Sequence, residues 1–406
     1  MSESSGLPAA LAGLRLLDLT DASGAYGVRL LADLGAEVLR IEPPGASTDG
    51  TLGTGEKGTP VTTAGLAARY DNLAKRSLTL NLDEPDGQKL LRRLAETADA
   101  LIETSPPGHL ADRGLGYPDL AAVNPRLVYT SLTPFGQAGP YAEFRQTPLT
   151  ALALGGLLST MGLPEGPPVQ AGVPLAYLLA GQHAAAFTQI ALIGRRLTGR
   201  GQHVDVSVQA CVAAAVEGPL QIYLMTGQAY PRIGAQRRLE PPNGTYACAD
   251  GYFCIFVLDW PAFARWVCEV LGDDELLDPK YEGATNALRA PHAEAIIPRV
   301  QEFALRLTRA ELLEGAHRTG QIGGSVLTPD EVLADPHLAD RNFFRTIDWP
   351  DQGPVQIPGA PYRLAATPWR TPAPPVAPGA DNEAIFQDEL GLSPADLDRL
   401  RRSGVI

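Results

Sequence analysis

Hydrophobic and polar positions change period several times along the chain. Residues 14–19 (LRLLDL) are apolar with little alternation, which predicts a strand buried on both faces, as in a parallel sheet. After a short turn at 20–24, the spacing predicts a helix over about 26–34, ended by Gly35 where a left-handed C-terminal cap belongs. Residues 37–42 (EVLRIE) predict the next strand, terminated by Pro43-Pro44-Gly45. Together these make a β-α-β unit. It resembles a dinucleotide-binding half, but its turn carries no GxGxxG, which argues against a bound dinucleotide.

Strand and helix patterns then alternate. Residues 45–63, rich in Gly, Thr and Ser, predict a surface loop. Strands are expected at 78–82, 100–103 and 127–132. Helices are expected at 85–95, with Asp83 as N-cap, and at 115–123. Such alternation predicts an α/β fold with a Rossmann-like, doubly wound parallel sheet. Three long segments follow, at 149–161, 176–197 and 206–225, apolar nearly all round, which suits helices buried in a large core or at a subunit interface. Past residue 226 the pattern changes. A hairpin at 244–258, turning at Asp250-Gly251, and helices at 261–271, 293–306 and 309–318 predict a small α+β domain. The expected organisation is therefore a large domain over 1–225, the small domain over 226–330, and a proline-rich segment over 331–406 that returns to the large domain. The last helix is expected at 394–402, N-capped by Ser393.

Charge narrows the function. The formal net charge of −13 is spread without acidic or basic blocks, so the chain is expected to bind neither nucleic acid nor a membrane surface. A small anion held by a few placed cations stays open. The four cysteines form no CxxC pair and have no histidine at zinc-ligand spacing, so no metal site is expected. No apolar run approaches the roughly 20 residues of a membrane span. The chain reads as cytoplasmic and reduced.

Several stretches could carry chemistry, each against a plainer alternative. Asn72-Leu73-Ala74-Lys75-Arg76 places two cations before a strand, either to hold a phosphate-bearing ligand or as a solvated surface pair. The segment 103–108 (ETSPPG) ends a strand at the sheet edge where ligands bind in open α/β folds, or is a tight turn. The loop 133–140, with Gly136, could approach a ligand by its backbone or be a flexible connection. His183, in an apolar helix, is a base or a core histidine. Asp205 reads as a helix N-cap or a structural partner. The stretch 167–186 leads from a proline-rich loop into an apolar helix, a junction suited to a nucleophile or an anion because backbone N–H groups are free there. The side chain it presents is Tyr177.

Taken together, these segments resemble the family III CoA-transferases, which include formyl-CoA and carnitine CoA-transferases and the α-methylacyl-CoA racemases. The resemblance rests on LLADLGAEVLRIEPPG at 30–45, NLAKRSLTLNL at 72–82 and GLGYPDLAAVNPRLVYTSLTPFGQAGPY at 114–141. It continues with TGRGQHVDVSV at 198–208, ADPHLADRNFF at 334–344 and the closing ELGLSPADLDRLRRSGVI. It implies an interlocked dimer and coenzyme A or acyl-CoA as substrate beside a carboxylic acid, with no tightly bound cofactor. It implies CoA contacts from Ala22, Ser23, Gly24, Asn72, Lys75, Arg76, Thr104, Ser105, Pro107 and Gly136. Two loops depart from the family: 103–108 is not Glu-Asn-Phe-x-Pro-Gly, and 22–26 lacks Ala-Gly-Pro.

The largest departure is at the reaction centre. Transferases of the family read Pro-Val-Ala-Asp, and that aspartate forms the acyl anhydride and then the aspartyl-CoA thioester. Here Pro174-Leu175-Ala176-Tyr177 puts a phenol in its place, with an ordinary pKa near 10 and no capacity for the anhydride. The His-Asp pair of the racemases is absent from 146–149, and Asp259 matches a racemase acid only loosely. The resemblance therefore implies the aspartate-lacking chain of a heterodimer with an aspartate-bearing homologue, of the benzylsuccinate CoA-transferase type. Its alternatives are a homodimeric racemase, isomerase or lyase using Tyr177, His183 or Asp259, and a non-catalytic CoA-ester-binding protein.

Overall fold

A computed structural model describes residues 7–45, 63–283, 285–349 and 352–406. The chain divides into two compact units, one of Met1–Leu157, Ala171–Glu217 and Ala339–Ile406, the other of Leu158–Gln170 and Gly218–Leu338.

The first unit is built on a six-stranded, all-parallel sheet. Its strands are β1 (Arg15–Leu19), β2 (Glu37–Glu42), β3 (Arg76–Thr79), β4 (Ala100–Glu103), β5 (Val128–Thr133) and β6 (His203–Ser207). They lie in the order β3-β2-β1-β4-β5-β6. Consecutive residues of each strand feed opposite cores, as a fully covered sheet requires. Leu17, Leu39, Leu101 and Tyr129 pack with α3 (Pro85–Thr97) and α4 (Tyr117–Val123). Leu16, Val38, Ile102 and Val128 pack with α1 (Ala25–Asp33) and α6 (Leu175–Thr198). Helix α2 (Thr63–Asp71) precedes β3, and the surface loop expected at 45–63 lies mostly outside the described residues.

The C-terminal segment belongs to this unit. Asp381 accepts from the Ser77 amide and Asn382 from the Thr79 amide, both at 2.9 Å, so side chains of the tail occupy the outer edge of β3. Ile385, Phe386, Leu397, Leu400, Val405 and Ile406 then enter the core beside α3. Ser393 caps the last helix, Pro394–Arg402, with its hydroxyl accepting from Asp396 N at 3.2 Å.

Several local expectations are corrected. The helix expected at 149–161 is α5, Pro148–Leu154 only, because Gly156 takes a left-handed φ of +86° and Gly155 has no room for a side chain against Val212. The helix expected from Val206 begins at Val208 instead. Val206 pairs with Leu132 in the sheet, and Ser207 supplies the cap to α7 (Val208–Ala214). A separate helix, α8, covers Glu217–Thr226. Asp205 is therefore no N-cap. Nor is Asp83, which pairs with Arg113 while Glu84 holds the cap position of α3. The proline-rich region also contains an antiparallel hairpin, 344–349 against 353–358, that the composition concealed.

The second unit has β7 (Gly244–Cys248), β8 (Gly251–Phe256) and β9 (Ile322–Ser325) as one antiparallel sheet. Helices α9 (Trp260–Leu271), α10 (Ala293–Leu305) and α11 (Arg309–Arg318) pack beside it.

One contact in the first unit sets the approach of α6 to α1. A Cβ built on Gly27 would sit 2.2 Å from the Gly181 carbonyl oxygen, so only glycine fits. Gly27→Ala is expected to destabilise the chain by about 1–3 kcal/mol. Urea denaturation should show a lower midpoint at unchanged slope, and an unaltered midpoint would refute the role of this contact.

Candidate functional site

In an open parallel sheet, ligands bind beyond the carboxyl ends of the strands, where the strand order reverses. Here that point lies between β1 and β4, since β1 pairs with β2 on one side and β4 on the other. The two loops leaving these strands are tied together. The Asp21 amide donates to the Thr104 hydroxyl at 2.8 Å, and a Cβ on Gly24 would meet Thr20 and Thr104 methyls at 2.8 and 2.9 Å. Asp21 folds its own turn by accepting from the Ser23 amide at 2.8 Å and hydroxyl at 2.5 Å. Ala22, Ser23 and Gly24 thus stand beside Thr104 and Ser105 beyond the carboxyl ends of β1 and β4. Pro107 is half-buried on the same loop.

Tyr177 belongs to this neighbourhood. It lies in the first turn of α6, which the Gly27–Gly181 contact presses on α1. Burial pushes its phenol above the ordinary value, and the Asp21 carboxylate pushes it further the same way. The hydroxyl therefore stays protonated at neutral pH. His183, two turns along α6, donates from Nδ1 to the Leu179 carbonyl at 2.8 Å and stacks on Phe187. Asp259 lies in the second unit, where it caps α9 by accepting from Ala262 N at 2.9 Å.

Of the two expected cations Lys75 is buried, whereas the Arg76 side chain is 32% exposed and is tied to Glu37 at the first residue of β2, toward the amino ends of the strands, so Arg76 is not placed as the expected CoA contact. Lys75 is 4% exposed, and its ammonium donates to Asp18 at 2.8 Å and to the Ala25 carbonyl at 3.2 Å, beneath the β1–α1 turn. Asp18 also accepts from the Thr20 amide and hydroxyl, and Arg40 lies 3.6 Å away. Burial alone would raise the Asp18 carboxyl, but Lys75 and Arg40 outweigh it and hold it below the ordinary range. Arg76 reaches Glu37, Asp381 and Glu389 at 2.7–3.2 Å. Asn72 is buried and donates to the Ala68 carbonyl at 2.8 Å. Gly136 takes a φ of +88° and lets the next amide, Gln137 N, reach both Asp205 oxygens at 3.1 Å.

One polar row escaped the sequence reading. Register places Glu103, Ser131 and Asp205 side by side on β4, β5 and β6. Ser131 meets His203 Nε2 at 3.0 Å, and His203 stacks on Tyr117. Burial raises the Glu103 carboxyl above its ordinary value, while the Ser131 hydroxyl and Ser105 amide oppose the rise. The legible signal was a charged residue closing a strand that is otherwise fully buried. Asp18 gave the same signal within RLLDL.

Among the described residues, no group of three His, Cys, Asp or Glu could hold a metal, and no single helix is long and apolar enough to cross a membrane.

Comparison with known proteins bears on this geometry. The sequence pattern of CoA-transferase family III matches residues 11–382. The chain is 32% identical to succinyl-CoA–D-citramalate CoA-transferase of Chloroflexus aurantiacus, over 98% of each chain. It is 31% identical to subunit BbsE of succinyl-CoA:(R)-benzylsuccinate CoA-transferase of Thauera aromatica, over 97% of each. The crystal structure of a CAIB/BAIF family protein from Brucella suis superposes with a TM-score of 0.82 at 29% identity, over 94% of this chain and 99% of that one.

The raised Glu103 carboxyl has a signed consequence. A carboxyl whose pKa is higher in the folded state contributes stability below its unfolded value, and that contribution is lost as pH rises through the folded value. Urea unfolding over a pH series should show wild type losing stability relative to Glu103→Gln as pH climbs from the ordinary glutamate range. A pH-independent difference between the two would exclude the assignment.

Proposed function

This chain belongs to CoA-transferase family III, and from that membership we propose that it is the chain of a heteromeric CoA-transferase that lacks the nucleophilic aspartate. Its substrates in this reading are a CoA thioester and a carboxylic acid. CoA is bound and released rather than held as a cofactor.

The observation that carries the reading is Tyr177. The family's covalent step needs a carboxylate to attack the thioester carbonyl, form a mixed anhydride and release the CoA thiolate. Tyr177 stands in the first turn of α6, where the family resemblance puts that aspartate. Burial and Asp21 both hold its phenol in the protonated form. A phenol yields an ester rather than an anhydride, and an ester does not return the acyl group to CoA with the same ease. The nucleophile is then supplied by a homologue whose corresponding residue is aspartate.

What this chain contributes is binding and assembly. The turn of Ala22, Ser23 and Gly24 meets the loop of Thr104, Ser105 and Pro107 at the sheet's switch point, and in this reading they contact CoA together with Gly136 on the β5 loop, while Arg76, tied to Glu37 at the start of β2, takes no part. Lys75 acts here through Asp18, by fixing the β1–α1 turn. Assembly in an interlocked dimer is supported by the outer face of α6, where Phe187, Ile190, Ile193 and Leu197 are 47–87% exposed at helical spacing. BbsE is itself described as a subunit. The four free cysteines suit a reducing cytoplasm.

The chain purified alone is expected to transfer CoA between succinyl-CoA and a dicarboxylic acid at background rate. Co-expression with an aspartate-bearing homologue is expected to yield a mixed assembly with transferase activity. Normal turnover by the lone chain would sink the proposal. Tyr177→Asp is expected to raise the lone chain's rate about tenfold or more, since a positioned nucleophile is worth several kcal/mol.

A further inference from the structure

A cleft with a volume of about 490 Å³ opens in the first unit. Its walls come from the two arms around the hairpin of β10 (Phe344–Trp349) and β11 (Gly353–Pro358). The arms are fixed to each other, because Gly359 N donates to the Phe343 carbonyl at 2.9 Å. A Cβ on Gly359 would come within 2.4 Å of that same carbonyl, so glycine is what lets them close.

The lining has an unusual composition. Arg341, Arg345 and Arg363 all face the cleft, together with Phe343, Tyr362 and Trp369. Arg363 donates to the Arg341 carbonyl. Among the described residues, none of the three guanidiniums is paired with a carboxylate. This stands against the rest of the chain, which carries a net charge of −13 and gives Arg76 alone three carboxylates. Three like charges with no carboxylate in ion-pair contact among the described residues repel one another, since the nearby Asp33 is paired with Arg29, and an anion relieves that repulsion. Guanidinium forks match phosphate oxygens bidentately, and they also stack on flat rings. The Tyr362 phenol, pushed up to about 12 by burial first and then by Asp33, remains a proton donor. Cation and ring together select a ligand that is both anionic and flat.

We propose that this cleft binds a purine nucleotide through its phosphates, with the base against the aromatic wall. A single carboxylate would leave two of the three cations uncompensated, which favours a polyphosphate. The proposal does not depend on the transferase reading. The ligand chemistry, adenine with phosphates, has two sources: a free nucleotide, or the nucleotide end of CoA.

Calorimetric titration of the full chain separates them, with ADP and CoA tested singly. Arg341→Gln/Arg345→Gln should weaken ADP binding about tenfold or more, equivalent to about 1.4 kcal/mol for lost charge-assisted hydrogen bonds. Loss for ADP with CoA unchanged assigns the free nucleotide. Loss for both makes the cleft part of the CoA substrate's own site and overturns the assignment to a free nucleotide. Unchanged affinity for both ligands overturns it. Inorganic pyrophosphate or benzoate binding as tightly as ADP overturns the purine assignment. Retained far-UV circular dichroism confirms that the variants fold. Arg345→Lys, which keeps the charge, should retain more affinity than Arg345→Gln.

Discussion

The first unit depends on one buried ion pair. Asp18, in the centre of the sheet, is fully buried and would cost several kcal/mol if left alone. Lys75 answers it from the segment leading into β3, two strands away, and donates onward to the Ala25 carbonyl at the start of α1. A single ammonium thus joins the middle strand, the strand near the edge and the turn that forms the candidate site. The pair is weak support for net stability, because desolvation offsets much of its attraction. Its value is positional: with Thr20 on the other carboxylate oxygen, it leaves the β1–α1 turn one conformation.

On that turn the rest of the site is assembled by close packing. The Asp21–Thr104 hydrogen bond joins the two loops of the switch point, and Gly24 lets them touch. The Gly27–Gly181 contact brings the first turn of α6 alongside, and Tyr177 with it. Two of these contacts, at Gly24 and at Gly27–Gly181, are made where there is no side chain to vary. Such packing fixes the position of residue 177 without fixing which side chain it carries.

Much of this was legible in the sequence. The strands from β1 to β5 showed as short apolar runs because both faces are covered, and Ser393 announced the last helix by its capping geometry. Residues 206–225 misled, because an apolar run marks its internal boundaries faintly: Ser207 where the strand hands over to α7, and Gly218-Pro219 where α8 begins. The 344–358 hairpin was hidden among prolines, which its edge positions tolerate. The cations at 75 and 76 looked like surface charges because sequence shows a charge but not its partner, and Asp18 and Asp381 lie 57 and 305 residues away. The resemblance located Tyr177, but only the fold brings Asp21 beside it.

The tail's hold on β3 bears on how the chain is made. The backbone amides of Ser77 and Thr79 face outward from the sheet edge and are satisfied only by Asp381 and Asn382. A chain emerging from the ribosome completes the other strands of the sheet long before those two residues appear. Through most of synthesis the sheet therefore carries an open edge, a template on which a neighbouring nascent chain can add a strand. Asp381 and Asn382 act as the molecule's own edge guard, and a chain cut between β6 and Asp381 would keep the sheet's strands but leave that edge adhesive.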